Sequence, residues 1–302
     1  MFDLIKYKYI SFIISGVLMG ASALALLVYG LKPGIDFTGG SLMEVSFSKE
    51  RPSIEQIHEA LKDANLGTTL VQPIDSDSML VKTRFITEDE HQTILTSLRQ
   101  AFEKGENKVF EDRLETIGPA ISAHLRNRAL GAGILVLVAI VLYIAYTFRK
   151  VSQPLQSWKY GLVAIFTLIH DVGITAGVFA LLGKFHGVEV DIPFVVALLT
   201  ILGYSVNDTI VVFDRIRENL MKRGSGNFAD TVNRGINETW TRSLNTSLSI
   251  LLVLLALFFF GGASIHYFSL ALIIGTIVGS YSSIFLASPL LVVWDNLSRK
   301  RI

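Results

Sequence analysis

Six long apolar segments limit what this 302-residue chain can fold into. A helix needs roughly 20 apolar residues to cross the hydrocarbon core of a bilayer. About half of the residues are apolar and 18% are charged, a balance that is unusual for a water-soluble domain of this length. The sequence therefore predicts a multi-pass α-helical membrane protein whose six spans are 9–29, 129–148, 160–182, 192–213, 244–261 and 268–294.

The first apolar segment shares some features with a cleavable signal peptide. It follows Lys6 and Lys8 and contains the small residues Ala21, Ser22 and Ala23. The apolar core of a signal peptide is only about 7 to 15 residues long, whereas this segment continues to Val28. We therefore expect residues 1–31 to form a cytoplasmic N-terminus and an uncleaved first transmembrane helix.

The short connections between the apolar segments differ in charge. Connections on one side carry most of the Lys and Arg residues, whereas those on the other side carry Lys184 with Glu189 and Asp191, and an uncharged turn after Gly262. Because cytoplasmic loops are enriched in Lys and Arg, we expect both termini in the cytoplasm. The basic residues on that side are Lys6, Lys8, Arg149, Lys150, Lys159, Arg215, Arg217, Lys222, Arg223, Arg234, Arg299, Lys300 and Arg301.

Residues 129–302 are expected to contain spans two to six and one amphipathic cytoplasmic segment, 214–241. Within that segment, apolar residues recur every fourth position after the flexible Gly224-Ser225-Gly226. This spacing predicts an amphipathic helix on the cytoplasmic membrane surface. The recurring residues are Phe228, Val232, Ile236 and Trp240.

Residues 32–128 are predicted to form one α+β domain outside the membrane. Met43, Val45 and Phe47 alternate as in a strand, and capping boxes at Ser53 and Thr87 precede two amphipathic helices. Further strands are expected at 69–71, 79–85 and 109–117. The resulting order, βαββαβ, is that of a ferredoxin-like domain with both helices on one face of the sheet.

Asp208 is an ionisable residue within the fourth apolar segment. A charge at the bilayer centre costs about 2.5 to 3.5 kcal/mol on insertion scales, so its presence needs a reason. Ser205, Asn207 and Thr209 make the same turn polar, and Arg242 begins the fifth segment at a depth that permits an ion pair. One interpretation is a carboxylate that binds and releases a proton as the helices move. The alternative is a static tether between helices, and Arg242 could equally extend to the interface.

His170 and Asp171 form a second polar pair in the third apolar segment. Counted from Lys159 at about 1.5 Å per residue, Asp171 lies roughly 18 Å deep, near the middle of the bilayer. Adjacent side chains on a helix point in different directions. The sequence therefore leaves open whether this pair relays protons or provides structural hydrogen bonds.

A glycine-rich segment follows the first span and contains Gly34, Asp36, Phe37, Gly39 and Gly40. It does not resemble a phosphate-binding loop, because no Lys-Ser or Lys-Thr pair follows, no helix start is apparent and a strand comes next.

The remaining sequence has no motif of a catalytic or cofactor site. It lacks cysteine, and its six histidines show no metal-ligand spacing. Net charge is close to zero, with no basic tract for nucleic acid. We therefore expect no enzyme activity, cofactor, metal site or nucleic-acid partner. We expect the apolar spans to contact membrane lipid.

Four stretches together resemble the SecF family, the smaller subunits of the SecD/SecF accessory complex of bacterial protein secretion. The longest, 203–219, reads GYSVNDTIVVFDRIREN and includes Asp208. The others are Gly34 to Gly40, His170-Asp171-Val172 and Arg242-Ser243. The resemblance covers nearly the whole chain.

The resemblance implies a six-helix unit of the resistance-nodulation-division superfamily in the bacterial cytoplasmic (inner) membrane. It implies a heteromeric complex with SecD, cooperation with the SecYEG channel, YajC and YidC as further partners, and a translocating preprotein. It also implies that the proton motive force drives export. In this chain Asp208 and Arg242 match the proton-path residues of the family, with Asn207, Thr209, His170 and Asp171 nearby, and Gly34 to Gly40 match its motif at the external end of helix 1.

Two other functions remain open at this stage. One is half of a small-molecule exporter of the same superfamily, although about 97 external residues provide little room for a substrate cleft. The other is a passive membrane scaffold, which would not need Asp208.

Overall fold

The computed structural model describes residues 3–64, 66–67, 69–74, 76–147, 156–223 and 227–299. The chain forms two compact units. One comprises Met1–Lys32 and Gly131–Ile302, and the other comprises Pro33–Leu130. We call them the membrane unit and the α+β unit.

The elements are numbered in chain order. The strands are β1 (Gly40–Phe47), β2 (Leu70–Pro73), β3 (Ser78–Thr83) and β4 (Val109–Ile117). The helices are α1 (Lys8–Val28), α2 (Ile35–Thr38), α3 (Ile54–Ala60), α4 (Glu88–Phe102), α5 (Pro119–Thr147), α6 (Ser157–His186), α7 (Ile192–Arg223), α8 (Phe228–Phe260), α9 (Ala263–Ser282) and α10 (Ser288–Arg299). Short 3-10 turns occupy Ile5–Tyr7 and Lys62–Ala64, and a π-helical turn, here called the π segment, occupies Ser283–Ala287.

Six helical stretches among the described residues are long and apolar enough to cross a membrane. This confirms the predicted class, a multi-pass helical protein with six spans and a small antiparallel sheet. The stretches are Ile5–Val28, Pro119–Ile144, Trp158–His186, Ile192–Lys222, Phe228–Phe260 and Ser264–Ser298.

The predicted amphipathic surface helix is not a separate element, and this prediction was wrong. Helix α7 continues to Arg223, and α8 begins at Phe228 and runs without a break to Phe260. No Pro or Gly separates Trp240 from the apolar residues that follow, so nothing ends the helix there. The apolar stripe of 228–240 packs against α7: Phe228, Val232 and Ile236 share one core with Ile216, and a Cβ at Gly235 would lie 2.6 Å from the Ile216 side chain. Gly224-Ser225-Gly226 lie outside the described residues.

The sixth span contains an irregularity that the sequence analysis missed. The π segment interrupts it, and Pro289 follows one residue after Ser288. Proline has no N–H group, and its ring clashes with the carbonyl four residues earlier in a regular α-helix. A wider turn relieves this clash, and the Ser288 hydroxyl donates a 3.0 Å hydrogen bond to the Ser283 carbonyl.

The α+β unit has the predicted element order. Its sheet has the strand order β2-β3-β1-β4, and every pair of neighbours is antiparallel. Met43 pairs with Val81 on one side and Leu114 on the other, and the register on the β4 side shifts between Glu44 and Val45. One apolar core joins the sheet to α3 and α4. It includes Met43, Val45, Phe47, Ile57, Leu61, Met79, Val81, Ile94, Leu98 and Val109.

Both predicted capping boxes are confirmed. The Ser53 side chain accepts from the Gln56 backbone, the Thr87 side chain accepts from the Glu90 backbone, and each partner bonds back. These reciprocal bonds satisfy donors that would otherwise be unpaired at the starts of α3 and α4. They explain why both helices begin at the predicted residues.

The glycine-rich segment does contain a helix start, contrary to our expectation. Helix α2 begins after Gly34, and the Thr38 hydroxyl donates a 3.0 Å hydrogen bond to the Gly34 carbonyl. Gly39 and Gly40 then adopt φ values of 74° and 134°. A Cβ at Gly40 would lie 2.7 Å from the Thr83 carbonyl oxygen, so only glycine fits where the segment enters β1.

Candidate functional site

The membrane unit buries a group of polar side chains among α6, α7, α8, α9 and the π segment. Each is less than 9% exposed. We call this group the buried polar cluster, and it consists of His170, Asp171, Ser205, Asp208, Thr209, Ser243, Ser282 and Ser283. Polar groups in an apolar interior are costly unless they are hydrogen-bonded, so their partners define what the cluster can do.

Asp171 is fully buried and is the best-bonded carboxylate of the cluster. Its Oδ2 accepts from the hydroxyls of Ser205, at 2.5 Å, and Ser282, at 2.8 Å. Its Oδ1 lies 2.9 Å from Nδ1 of His170. Asp171 thus ties three helices together through side-chain hydrogen bonds, the structural role that the sequence left open.

Asp208 is buried as well, but its hydrogen bonding is incomplete. Its Oδ1 accepts a 2.7 Å hydrogen bond from the Ser243 hydroxyl of α8. Its Oδ2 has no hydrogen-bond partner among the described residues. A buried carboxyl oxygen without a donor favours the protonated form of the group, because an ionised oxygen needs hydrogen bonds in place of water.

Thr209 and Ser283 connect Asp208 to the sixth span. The hydroxyls of Thr209 and Ser283 lie 3.0 Å apart, and the Ser283 hydroxyl also lies next to the Asp208 carboxyl group. Ser282, the neighbour of Ser283, donates to Asp171. Two consecutive residues, the last of α9 and the first of the π segment, therefore lie beside two different carboxylates.

A second set of hydroxyls lies one turn from Asp208. Tyr204 lies 2.7 Å from Ser247 and 3.0 Å from Ser280, and the latter two are 2.6 Å apart. The sequence analysis assigned no role to this triad or to Ser243, Ser282 and Ser283. A usable signal was present, because Ser243 and Ser247 share a face of α8 at a spacing of four.

Arg242 does not form the ion pair that its depth permits. Its side chain is exposed, and it has no hydrogen bond or ion pair within the described part of the chain. It acts on Asp208 only at longer range. Ser243, the next residue, faces Asp208 instead, because neighbouring positions on a helix are about 100° apart. Asn207 is likewise exposed.

The glycine-rich segment lies in the α+β unit and not in the buried polar cluster. Gly34, Gly39 and Gly40 form the turn described above, while Asp36 and Phe37 are half-buried on α2. In the structure this segment forms the backbone turn that leads into β1. Among the described residues, no three His, Asp or Glu side chains are arranged to hold a metal ion.

Two sequence models of known families match this chain. The model described as "Protein export membrane protein SecD/SecF, C-terminal" matches residues 97–297, and the "SecD/SecF GG Motif" matches residues 24–50. The first range contains the whole buried polar cluster and Arg242, and the second contains Gly39 and Gly40. The chain belongs to the SecD/SecF family. The resemblance seen in the sequence is thereby confirmed.

Individual relatives within the family match over almost the full chain. The protein translocase subunit SecF of Thermobaculum terrenum is 41% identical over 314 residues, covering 100% of this chain and 96% of the relative. The subunit of the same name from Vibrio alginolyticus is 40% identical over 288 residues, covering 94% of this chain and 87% of the relative. The matching chains are thus similar in length to this one.

Solved structures of SecDF share the fold. The crystal structure of SecDF, a translocon-associated membrane protein from Thermus thermophilus, is 34% identical with a TM-score of 0.83 over 98% of this chain. A crystal structure of SecDF in the super-membrane-facing form has a TM-score of 0.70 over 99% of this chain, also at 34% identity. This chain covers only 39% of each SecDF chain, so those proteins contain a large part with no counterpart here. Family and fold together identify this chain as a multi-pass membrane protein related to SecF.

Proposed function

We propose that this chain uses the proton motive force to promote preprotein export across the bacterial cytoplasmic membrane, together with SecD and the SecYEG channel. The observation that carries the proposal is the buried Asp208, whose Oδ2 lacks a hydrogen-bond partner among the described residues. Such a group can hold a proton in this arrangement and lose it in another that supplies a donor or a positive charge.

The energy available from one such carboxylate is sufficient to bias a conformational change. Moving one charge through 100 mV yields about 2.3 kcal/mol. That free energy changes the ratio of two conformations by roughly fiftyfold. Asp208 lies on α7, where it contacts Ser243 of α8 and lies next to Ser283 of the π segment, so a change in its charge acts on all three elements.

An exposed polar face of α7 and α8 supports a membrane partner. Asn207, Arg242 and Asn245 are exposed at the level of the buried polar cluster, where lipid offers no hydrogen bonds. Polar side chains at this depth usually face another helix or a water-filled cavity. We infer that this face meets SecD and that Arg242 is positioned there to respond to the charge of Asp208. YajC and YidC are proposed as further partners on family resemblance alone.

The proposed topology follows from the charges. Both termini and the connection between α7 and α8 lie in the cytoplasm, and the α+β unit lies outside, where it would meet the emerging preprotein. The small-molecule exporter and the passive scaffold are the alternatives: purification of the native complex tests the first, and a variant of Asp208 tests the second.

The decisive variant is Asp208→Asn, which nearly preserves volume and removes the exchangeable charge. We expect normal assembly with SecD and loss of the uncoupler-sensitive part of late-stage export in inverted vesicles. Asp230→Asn, the same change at an exposed position of α8, is the matched control and should behave as wild type. Wild-type uncoupler sensitivity in Asp208→Asn would favour the scaffold. Absence of SecD from the purified native complex would favour the exporter.

A further inference from the structure

The carbonyl oxygen of Gly279 in α9 lies within reach of three donors. The backbone N–H of Ser283 donates to it, and the hydroxyls of Ser282 and Ser283 lie 3.0 and 2.9 Å away. A carbonyl oxygen has two lone pairs. With one lone pair bound to the backbone N–H, the two hydroxyls compete for the other.

Each competing hydroxyl has its second partner at a different carboxylate. Ser282 lies 2.8 Å from Oδ2 of Asp171. Ser283 lies 3.0 Å from the Thr209 hydroxyl and next to Asp208. Because a hydroxyl has a single hydrogen, Ser282 donates either to Asp171 or to the Gly279 carbonyl. When Ser282 donates to Asp171, Ser283 can donate to the Gly279 carbonyl. When Ser282 donates to Gly279, the Ser283 hydroxyl is left to donate elsewhere.

We propose that Ser282 and Ser283 couple the proton occupancy of Asp171 to that of Asp208, so that the two carboxylates share one proton. This inference rests on the proposed function, in which Asp208 binds a proton. It assigns both serines as positioning residues and gives Asp171 a role beyond joining helices.

The described arrangement corresponds to one of two states. In this first state Asp171 accepts from Ser282, Ser283 donates to Gly279, and Oδ2 of Asp208 has no hydrogen-bond partner among the described residues. The shared proton is assigned to Asp208 in this state. In the second state Asp171 is protonated and donates to Ser282, and Ser282 donates to Gly279. The Ser283 hydroxyl then turns toward Asp208 and stabilises its carboxylate.

The exchange breaks no covalent bond of either serine. The hydroxyl hydrogens only reorient: one proton is released from Asp208 and one proton binds to Asp171, so that one of the two carboxyl groups is protonated in each state. Three further titratable or charged groups surround the pair. His170 contacts Asp171, Arg242 acts on Asp208 at longer range, and Tyr204 bonds to Ser247 and Ser280 one turn before Asp208.

The test is a pH titration of the full-length chain in liposomes by infrared difference spectroscopy, which reports protonated carboxyl groups. Asp208→Asn and Asp171→Asn assign the two carboxyl bands. In Ser282→Ala, Gly279 is always free to accept from Ser283, so Asp208 loses its alternative donor. We expect its titration midpoint to move to higher pH by about one unit.

Two further variants guard against a purely structural effect. Ser283→Ala removes the donor itself and should move the Asp208 midpoint in the same direction, even if Ser282→Ala folds poorly. Ser269→Ala removes another buried hydroxyl of α9, one with no partner among the described residues, and should leave the midpoint at its wild-type value.

The outcomes separate this inference from the proposed function. An Asp208 band whose midpoint is the same in Ser282→Ala, Ser283→Ala and wild type would overturn the coupling and leave Asp208 as a proton carrier. If the wild-type chain showed no carboxyl band that depends on Asp208, both the coupling and the proton-carrier role would be overturned.

Discussion

The Ser243 hydroxyl donates a 2.7 Å hydrogen bond to Oδ1 of Asp208 across the interface between α7 and α8. Oδ2 of the same carboxyl group has no hydrogen-bond partner among the described residues. Ser243, the residue that follows Arg242, thus contributes to the site through its hydroxyl group. Any rotation of α8 that brought Arg242 toward Asp208 would have to break this bond.

Replacement of Ser243 should therefore weaken the helix interface and disturb the proton site together. We expect Ser243→Ala to destabilise the membrane unit by about 1 to 3 kcal/mol, because a buried acceptor loses its donor. The measurement is thermal unfolding in detergent, alongside uncoupler-sensitive export. Ser249→Ala is the matched control, since the Ser249 hydroxyl is exposed and bonds to its own helix backbone. Equal effects of the two variants would contradict this assignment.

The proposed topology predicts the sidedness of two exposed positions. A cysteine at Ser76 in the α+β unit should react with an impermeant thiol reagent in intact cells. One at Met221, near the end of α7, should react only after permeabilisation. The chain has no natural cysteine, so the background is low. The reverse pattern would place the termini outside.

The turn into β1 should tolerate no side chain at Gly40. Gly40→Ala would place Cβ 2.7 Å from a backbone oxygen at a φ of 134°, and we expect a loss of at least about 2 kcal/mol. Gly105→Ala also has a positive φ but meets no atom within 4 Å, and it should cost about 1 kcal/mol. Urea unfolding of residues 33–118, expressed alone, measures both. A smaller loss in Gly40→Ala than in Gly105→Ala would show that the contact with Thr83 does not constrain the turn.

The stability of the α+β unit should depend on pH through Glu90. Its hydrogen bond with Arg84, followed by the bond from the Thr87 backbone, lowers the pKa of this carboxyl group from 4.5 to about 2. A lowered pKa means that the ionised form stabilises the folded state. That contribution is present above pH 4.5 and is lost as the pH falls toward about 2.

The measurement is the urea midpoint of residues 33–118 across this range. Glu90→Gln should lower the midpoint near neutral pH and reduce its decline in acid. Glu106→Gln serves as the control, because Glu106 is mostly exposed and contacts Lys49 at the surface. A decline in Glu90→Gln as steep as that of wild type would rule out Glu90 as its source.

Local patterns in the sequence were sufficient for much of the fold. Capping boxes at Ser53 and Thr87 located two helices, because their bonds connect residues only three positions apart. Alternation located the strands, although β3 ends at Thr83 rather than at residue 85. Charge in an apolar segment correctly drew attention to Asp171 and Asp208, both of which lie in the buried polar cluster.

The partners of those carboxylates could not be predicted in the same way. Ser205, Ser243 and Ser282 contact them only after α6, α7, α8 and α9 have packed, and serine is too common in helices for its presence to indicate a ligand. Depth along a helix suggested that Arg242 could reach Asp208, but depth carries no information about which way the side chain faces. The rotation of α8 about its axis, set by packing against α7, determines that Ser243 faces Asp208 and that Arg242 is exposed.

The π segment also sets the phase of the last helix. Successive residues of an α-helix are 100° apart, so the one additional residue in this wide turn rotates everything after it by about that angle relative to an unbroken helix. Trp294 and Ser298 owe their orientation to this offset. Trp294 meets Trp158 with ring centres 5.6 Å apart, and Ser298 accepts a 2.8 Å hydrogen bond from Lys159. A chain with one residue fewer in the turn would point both side chains away from α6, so the closure of that end of the bundle depends on a single inserted position.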